Sequence, residues 1–219
     1  MKVLVFDTET TGLPEKTKFG KYPNVSDSKK WPYVVQLSFI LYDTRRKDML
    51  VDRDFIIKIP STVYISHEST KIHGITNEIS RSQGVNLKQA LSTFMLCGND
   101  ADAIIAHNIE FDKHILRAEA ARYNLDDPFS LKCNPIYFDT MIMGKPVCNV
   151  RQQHIYTGEI KLKPPKLIEL YQKLFNQTPK SLHNSFIDII ACLRCFVKMY
   201  NGQDIFNDCL RFRTLIKHE

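Results

Sequence analysis

The first apolar run of the chain, Val3-Leu4-Val5-Phe6, has almost no polar interruption, the pattern of a strand buried on both faces. Residues 33–42 (Tyr-Val-Val-Gln-Leu-Ser-Phe-Ile-Leu-Tyr) and 50–59 read as two further strands, and the polar link from Asp43 to Asp48 predicts a hairpin between them. Pro60 closes the third strand, and an irregular stretch containing His73-Gly74-Ile75-Thr76 follows. Leu87, Leu91, Phe94 and Met95 share one helical face, which predicts an amphipathic helix over 85–97. A short buried strand at 102–106 leads into a helix marked by Phe111, Ile115, Leu116 and Ala120. Ile136-Tyr137-Phe138 is a fifth strand that ends at Asp139-Thr140. The stretch 144–165 carries Gly144, Pro146, Gly158, Pro164 and Pro165 and reads as loop. Leu167, Leu170, Tyr171 and Leu174 mark a helix stopped by Pro179, and 183–200 and 203–217 are helical by periodicity. Three strands followed by alternating helix and strand predict an α/β fold, a mixed five-stranded sheet with helices on both faces, in a single domain over 1–219.

Composition adds limits rather than direction. With 43% hydrophobic and 25% charged residues, the 219-residue chain has the makeup of a globular protein able to bury one core. No apolar run reaches bilayer length, and Met1-Lys2 leads straight into a strand, so the reading is an intracellular protein, not secreted and not membrane-bound. Six cysteines lie among apolar neighbours and read as reduced, buried thiols. Cys192-x-x-Cys195 falls inside a helical pattern with no second pair of matching spacing, so core thiols are favoured over a zinc or redox motif.

Charge is informative by location. The net charge is +6, while residues 14–32 alone net +3 and residues 143–181 net +5. One basic segment follows an acidic cluster and the other precedes His183, an arrangement suited to a polyanionic substrate.

The acids carry the chemistry. Asp7 and Glu9 follow the first apolar run in Phe6-Asp7-Thr8-Glu9-Thr10-Thr11-Gly12-Leu13. Residues i and i+2 of a strand share a face, so the two carboxylates lie side by side and repel each other unless a cation neutralises them. Asp112 stands one turn into the helix after the fourth strand, in Ala106-His107-Asn108-Ile109-Glu110-Phe111-Asp112, and Asp188 follows His183 in the late helical segment. Oxygen-only ligands favour a hard divalent cation such as Mg²⁺.

These three segments resemble the three exonuclease motifs of the DnaQ-like, DEDD-type 3′–5′ exonucleases, within the RNase H-like superfamily. His183-x-x-x-x-Asp188 is similar to the third motif in its histidine-bearing (DEDDh) form. The tyrosine-bearing form needs Tyr at position 184, which is Asn184. The resemblance spans residues 3 to about 195 and includes His73-Gly74-Ile75-Thr76 and Phe138-Asp139-Thr140. It implies two Mg²⁺ or Mn²⁺ ions held by Asp7, Glu9, Asp112 and Asp188. One ion sits on Asp7, Glu9 and Asp188 with the nucleophilic water. The second bridges through Asp7 and reaches Asp112 largely through water, and His183 is the general base.

The resemblance further implies that Thr10, Thr11 and Leu13 line the pocket for the terminal nucleotide. Asn108 and Phe111 contact the penultimate unit, and His73 lies near the terminal base. The expected reaction releases nucleoside 5′-monophosphates from DNA 3′ ends, single-stranded or frayed, with a polymerase or other replication or repair protein as a partner. Two alternatives share the motifs: an exoribonuclease trimming RNA 3′ ends, and an inactive nucleic-acid-binding scaffold. The 14–32 insertion, with five lysines, Tyr22 and Trp31, reads as a flap that guides the strand.

Overall fold

The computed structural model describes residues 1–15, 21–153, 158–179 and 184–217. In chain order the elements are β1 (Lys2–Thr10), β2 (Val34–Asp43), β3 (Asp48–Ile56), α1 (His67–His73), α2 (Asn77–Gln83), α3 (Leu87–Asn99), β4 (Ala103–Ala106) and α4 (Ile109–Arg122). They continue as β5 (Ile136–Asp139), α5 (Thr140–Cys148), β6 (Arg151–Gln153), β7 (Ile160–Leu162), α6 (Leu167–Phe175), α7 (Ser185–Asn201), α8 (Ile205–Asp208) and α9 (Leu210–Lys217). A 3₁₀ turn occupies Ser28–Lys30.

Five strands form one sheet in the order β3-β2-β1-β4-β5. β1 is central, antiparallel to β2 and parallel to β4, and β4 is parallel to β5. This is the mixed RNase H-like sheet expected, with helices on both faces. Alternation along β1 sorts its side chains between two cores. Leu4 and Phe6 pack with Leu87, Leu91 and Phe94 of α3 and Ile115 and Leu116 of α4. Val3 and Val5 pack on the other face with Ile189, Ile190, Leu193 and Phe196 of α7 and Phe212 of α9. That parity decides which helix each residue past Phe6 faces.

β2 is buried along its whole length, yet it carries Gln36 and Ser38. Both donate to Asp54 Oδ1, at 2.7 Å each. A hydroxyl has one proton, so the Ser38 oxygen accepts from the Ser185 hydroxyl, while Gln36 Oε1 accepts from the Ser185 backbone N–H at 3.4 Å. The two polar residues thus satisfy groups at the start of α7, where backbone N–H groups lack partners within the helix.

Three parts of the chain differ from the sequence reading. The stretch after Pro60 is not irregular: it holds α1 and α2, capped by the Ser66 and Thr76 hydroxyls. Seven residues are too few for a periodic signal. The stretch 144–165 is not loop throughout. Gly144 and Pro146 lie inside α5, and β6 pairs with β7 as a separate two-stranded hairpin. Gly144 is there for space, since a Cβ would stand 2.9 Å from Leu170 Cδ1. The third difference is the last helical segment, which is two helices. Asp204 caps α8, and Cys209, extended at φ −118° and ψ 112°, separates it from α9. Cys97, Cys192, Cys195 and Cys209 are buried free thiols, as expected, whereas Cys133 is exposed and Cys148 only partly covered.

Candidate active site

β1 outruns its parallel neighbour. Its pairing with β4 ends at Val5 opposite Ile105, so Asp7, Thr8 and Glu9 project past the carboxyl end of β4, where open α/β sheets place their ligands. Asp7 and Glu9 share the parity of Val3 and Val5 and face α7, which delivers Asp188 from its first turn. One carboxylate oxygen from each of Asp7, Glu9 and Asp188 lies within 4.8 Å of the others.

Thr8 has the opposite parity and faces α4. Its backbone N–H and its hydroxyl both donate to Asp112 Oδ1, at 3.1 and 2.6 Å. Asp112 is only 3% exposed. A buried carboxylate needs donors, and here the residue between the two motif acids supplies two of them. Nothing in the sequence reading assigned Thr8 a role, because its partner Asp112 lies 104 residues along the chain.

The electrostatics are those of acids crowded together. Burial, then the charges of Asp112, Asp188 and Glu9, hold the Asp7 carboxyl well above the usual range. Burial, then the charges of Asp188 and Asp112, push Glu9 up to about 8. Burial also raises Asp112, against the lowering by its Thr8 donors. Such a cluster is relieved by a divalent cation, and the oxygen-only donor set fits one of the hard type.

The opposite wall is built from residues after β4 and β5. Asn108 adopts the left-handed conformation at φ 70° just before α4, a geometry Asn tolerates, and its N–H donates to Asp139 Oδ1 at 3.0 Å. The same oxygen accepts from Met141 N at 2.9 Å, so Asp139 fixes the starts of α4 and α5 together. His107 Nε2 meets the Pro165 carbonyl at 3.1 Å, and because a carbonyl only accepts, Nε2 carries the proton. Burial lowers the imidazole pKa, and Nδ1 lies 3.0 Å from the buried Thr140 hydroxyl. These contacts hold the 163–167 segment across a cleft of about 550 Å³ lined by Asp7, Asn108, Met141, Pro165, Leu167 and Asp188. Asp139, Thr140 and His107 stood in the quoted motifs, but their positioning work shows only in the fold.

The residues assigned to substrate divide between surface and support. Leu13 is 80% exposed and does not pack in the core. Phe111 is half-buried beside the α4 core. Thr10 Oγ1 donates to the Gly12 carbonyl and Thr11 Oγ1 accepts from Tyr33 N, at 2.6 and 3.0 Å, shaping the turn before Leu13. His73 is buried: its Nδ1 accepts from Ile75 N, which leaves Nε2 to donate to the Thr10 carbonyl at 3.3 Å. Ser69 Oγ donates to the Thr11 carbonyl at 3.1 Å. His183, the assigned general base, lies outside the described residues.

A sequence model for the family described as Exonuclease matches residues 4–196. The chain belongs to this family, the DnaQ-like exonucleases. No curated protein matches it. Its fold is that of Escherichia coli exonuclease I, solved in complex with a dT13 oligonucleotide: 17% identity, TM-score 0.60, covering 99% of this chain and 43% of that one. A zinc-bound form of the E. coli enzyme with single-stranded DNA gives 17% identity and a TM-score of 0.61, covering 94% and 42%. A moderately thermophilic exonuclease I from Methylocaldum szegediense gives 16% and 0.56, covering 94% and 42%. The chain spans less than half the length of these proteins.

Proposed function

We propose that this exonuclease-family chain removes nucleoside 5′-monophosphates from the 3′ end of single-stranded or frayed DNA with two divalent cations, Mg²⁺ or Mn²⁺. The observation that carries this reading is the gathering of Asp7, Glu9 and Asp188 within 4.8 Å, with buried Asp112 held beside them by Thr8. Asp7, Glu9 and Asp188 would hold one ion. Asp7 and Asp112 would hold the second, with Thr8 orienting the Asp112 carboxylate. A bound pair of such cations supplies charge neutralisation and water activation for in-line phosphodiester hydrolysis. His183, two residues before α7, takes the proton from the attacking water, as an imidazole near neutrality can. Leu13, with the turn built by Thr10 and Thr11, seats the terminal nucleotide, and Asn108 and Phe111 seat the one before it.

DNA is favoured over RNA by likeness to exonuclease I, solved with dT13 and dA16 oligonucleotides. The test is digestion of DNA and RNA oligonucleotides labelled at either end, with Mn²⁺ and with chelator. Metal-dependent shortening of DNA from its 3′ end supports the reading. Preferential RNA trimming makes the chain an exoribonuclease, and no release from either end leaves only a binding scaffold.

A further inference from the structure

Residues 24–32 of the segment joining β1 to β2 are clamped onto α4. Trp31 is buried, its Nε1 donates to the Asn24 carbonyl at 3.1 Å, and its ring lies 7° from the plane of His114 on α4 with centroids 5.8 Å apart. Arg122 Nη2 donates to the carbonyls of Ser28 and Trp31, both at 2.6 Å. Its Nη1 pairs at 2.6 Å with buried Glu119, which also accepts from Val34 N at 2.8 Å. The C-terminal part of the insertion is therefore a fixed platform.

Tyr22 stands on this platform. Its ring packs 5.7 Å from Trp31, 5.7 Å from His114 and 6.3 Å from Phe111, yet it stays 41% exposed. Burial raises its hydroxyl pKa, against a lowering by the Asn108 side chain beside it. The ring thus adjoins both residues assigned to the penultimate nucleotide.

We infer that Tyr22 is a specificity-determining residue whose exposed ring stacks on the base of the penultimate nucleotide, extending the apolar surface begun by Phe111. The inference rests on the 3′–5′ exonuclease reading and deepens it. Every base offers a π-face, so the contact tolerates any sequence. It needs an unstacked base, which favours single-stranded ends over duplex. The packing already formed on Trp31 and His114 orients the ring before substrate arrives.

The test compares wild type, Tyr22→Phe and Tyr22→Leu on a single-stranded oligonucleotide and on the p-nitrophenyl ester of thymidine 5′-monophosphate. The ester has no penultimate base. Tyr22→Leu should lower kcat/KM on the oligonucleotide about tenfold, mainly through KM, and change ester hydrolysis less than about twofold, while Tyr22→Phe stays near wild type on both. An unchanged oligonucleotide rate in Tyr22→Leu overturns the inference. So does an equal loss on both substrates, the mark of a structural role. So does a loss in Tyr22→Phe equal to that in Tyr22→Leu, which assigns the effect to the hydroxyl and not to the ring. A wild-type protein inert on both substrates defeats the exonuclease reading itself, and this inference with it.

Discussion

Thr8 shows how much one hydroxyl can decide. Asp112 is buried, and its Oδ1 takes both Thr8 donors, so removing one leaves a charge with less support in a poorly solvated place. Thr8→Val should keep the fold, lower turnover by about 10- to 100-fold as loss of a ligand's supporting contact usually does, and recover in Thr8→Ser. Equal turnover in the valine and wild-type proteins would show that the bond does not matter. The acids themselves were readable from Asp-x-Glu at the end of an apolar run. Thr8 was not, because only the fold reveals that α4 stands on its side of the strand. Leu13, an apolar residue assigned to the substrate in sequence, is exposed and free of the core.

At the scale of elements, the sheet and its main helices were legible because buried strands and amphipathic helices write themselves as runs and periods. Short capped helices such as α1 and α2 do not, since their signal is a Ser66 or Thr76 cap and not a repeat. Glycine and proline misled in α5, where packing against Leu170 and not chain flexibility selects Gly144. Gln36 and Ser38 were hidden in an otherwise apolar strand, and their partner at the start of α7 lies far along the chain. The clamp on the β1–β2 segment was equally unreadable. Glu119 and Arg122 look like an ordinary helical i,i+3 pair, yet their side chains are 2% and 10% exposed. Arg122→Leu leaves the Glu119 carboxylate buried without its cation and removes the donor to the Ser28, Trp31 and Pro32 carbonyls. It should destabilise the protein by about 3 kcal/mol in denaturant unfolding. A change below about 1 kcal/mol would mean that the segment is held some other way.

For the molecule as a whole, three distant stretches meet at one end of the sheet because β1 extends past β4, and α4 and α7 start on opposite faces of it. Among the described residues no helix is long and apolar enough to cross a membrane. The acids meet at a cost: burial and mutual repulsion hold Asp7, Glu9 and Asp112 in a range where protons compete with cations. Metal ligands must be deprotonated, so a cation binds more tightly as pH rises through the raised carboxyl pKa values and expels protons as it binds. Calorimetric titration of the protein with Mn²⁺ at pH 6 and pH 8, together with Asp7→Asn, tests this directly. Binding should tighten from pH 6 to pH 8, release protons at pH 6, and disappear in Asp7→Asn. Equal affinity at the two pH values, or undiminished binding by Asp7→Asn, would contradict the claim that these carboxylates converge to hold the metal.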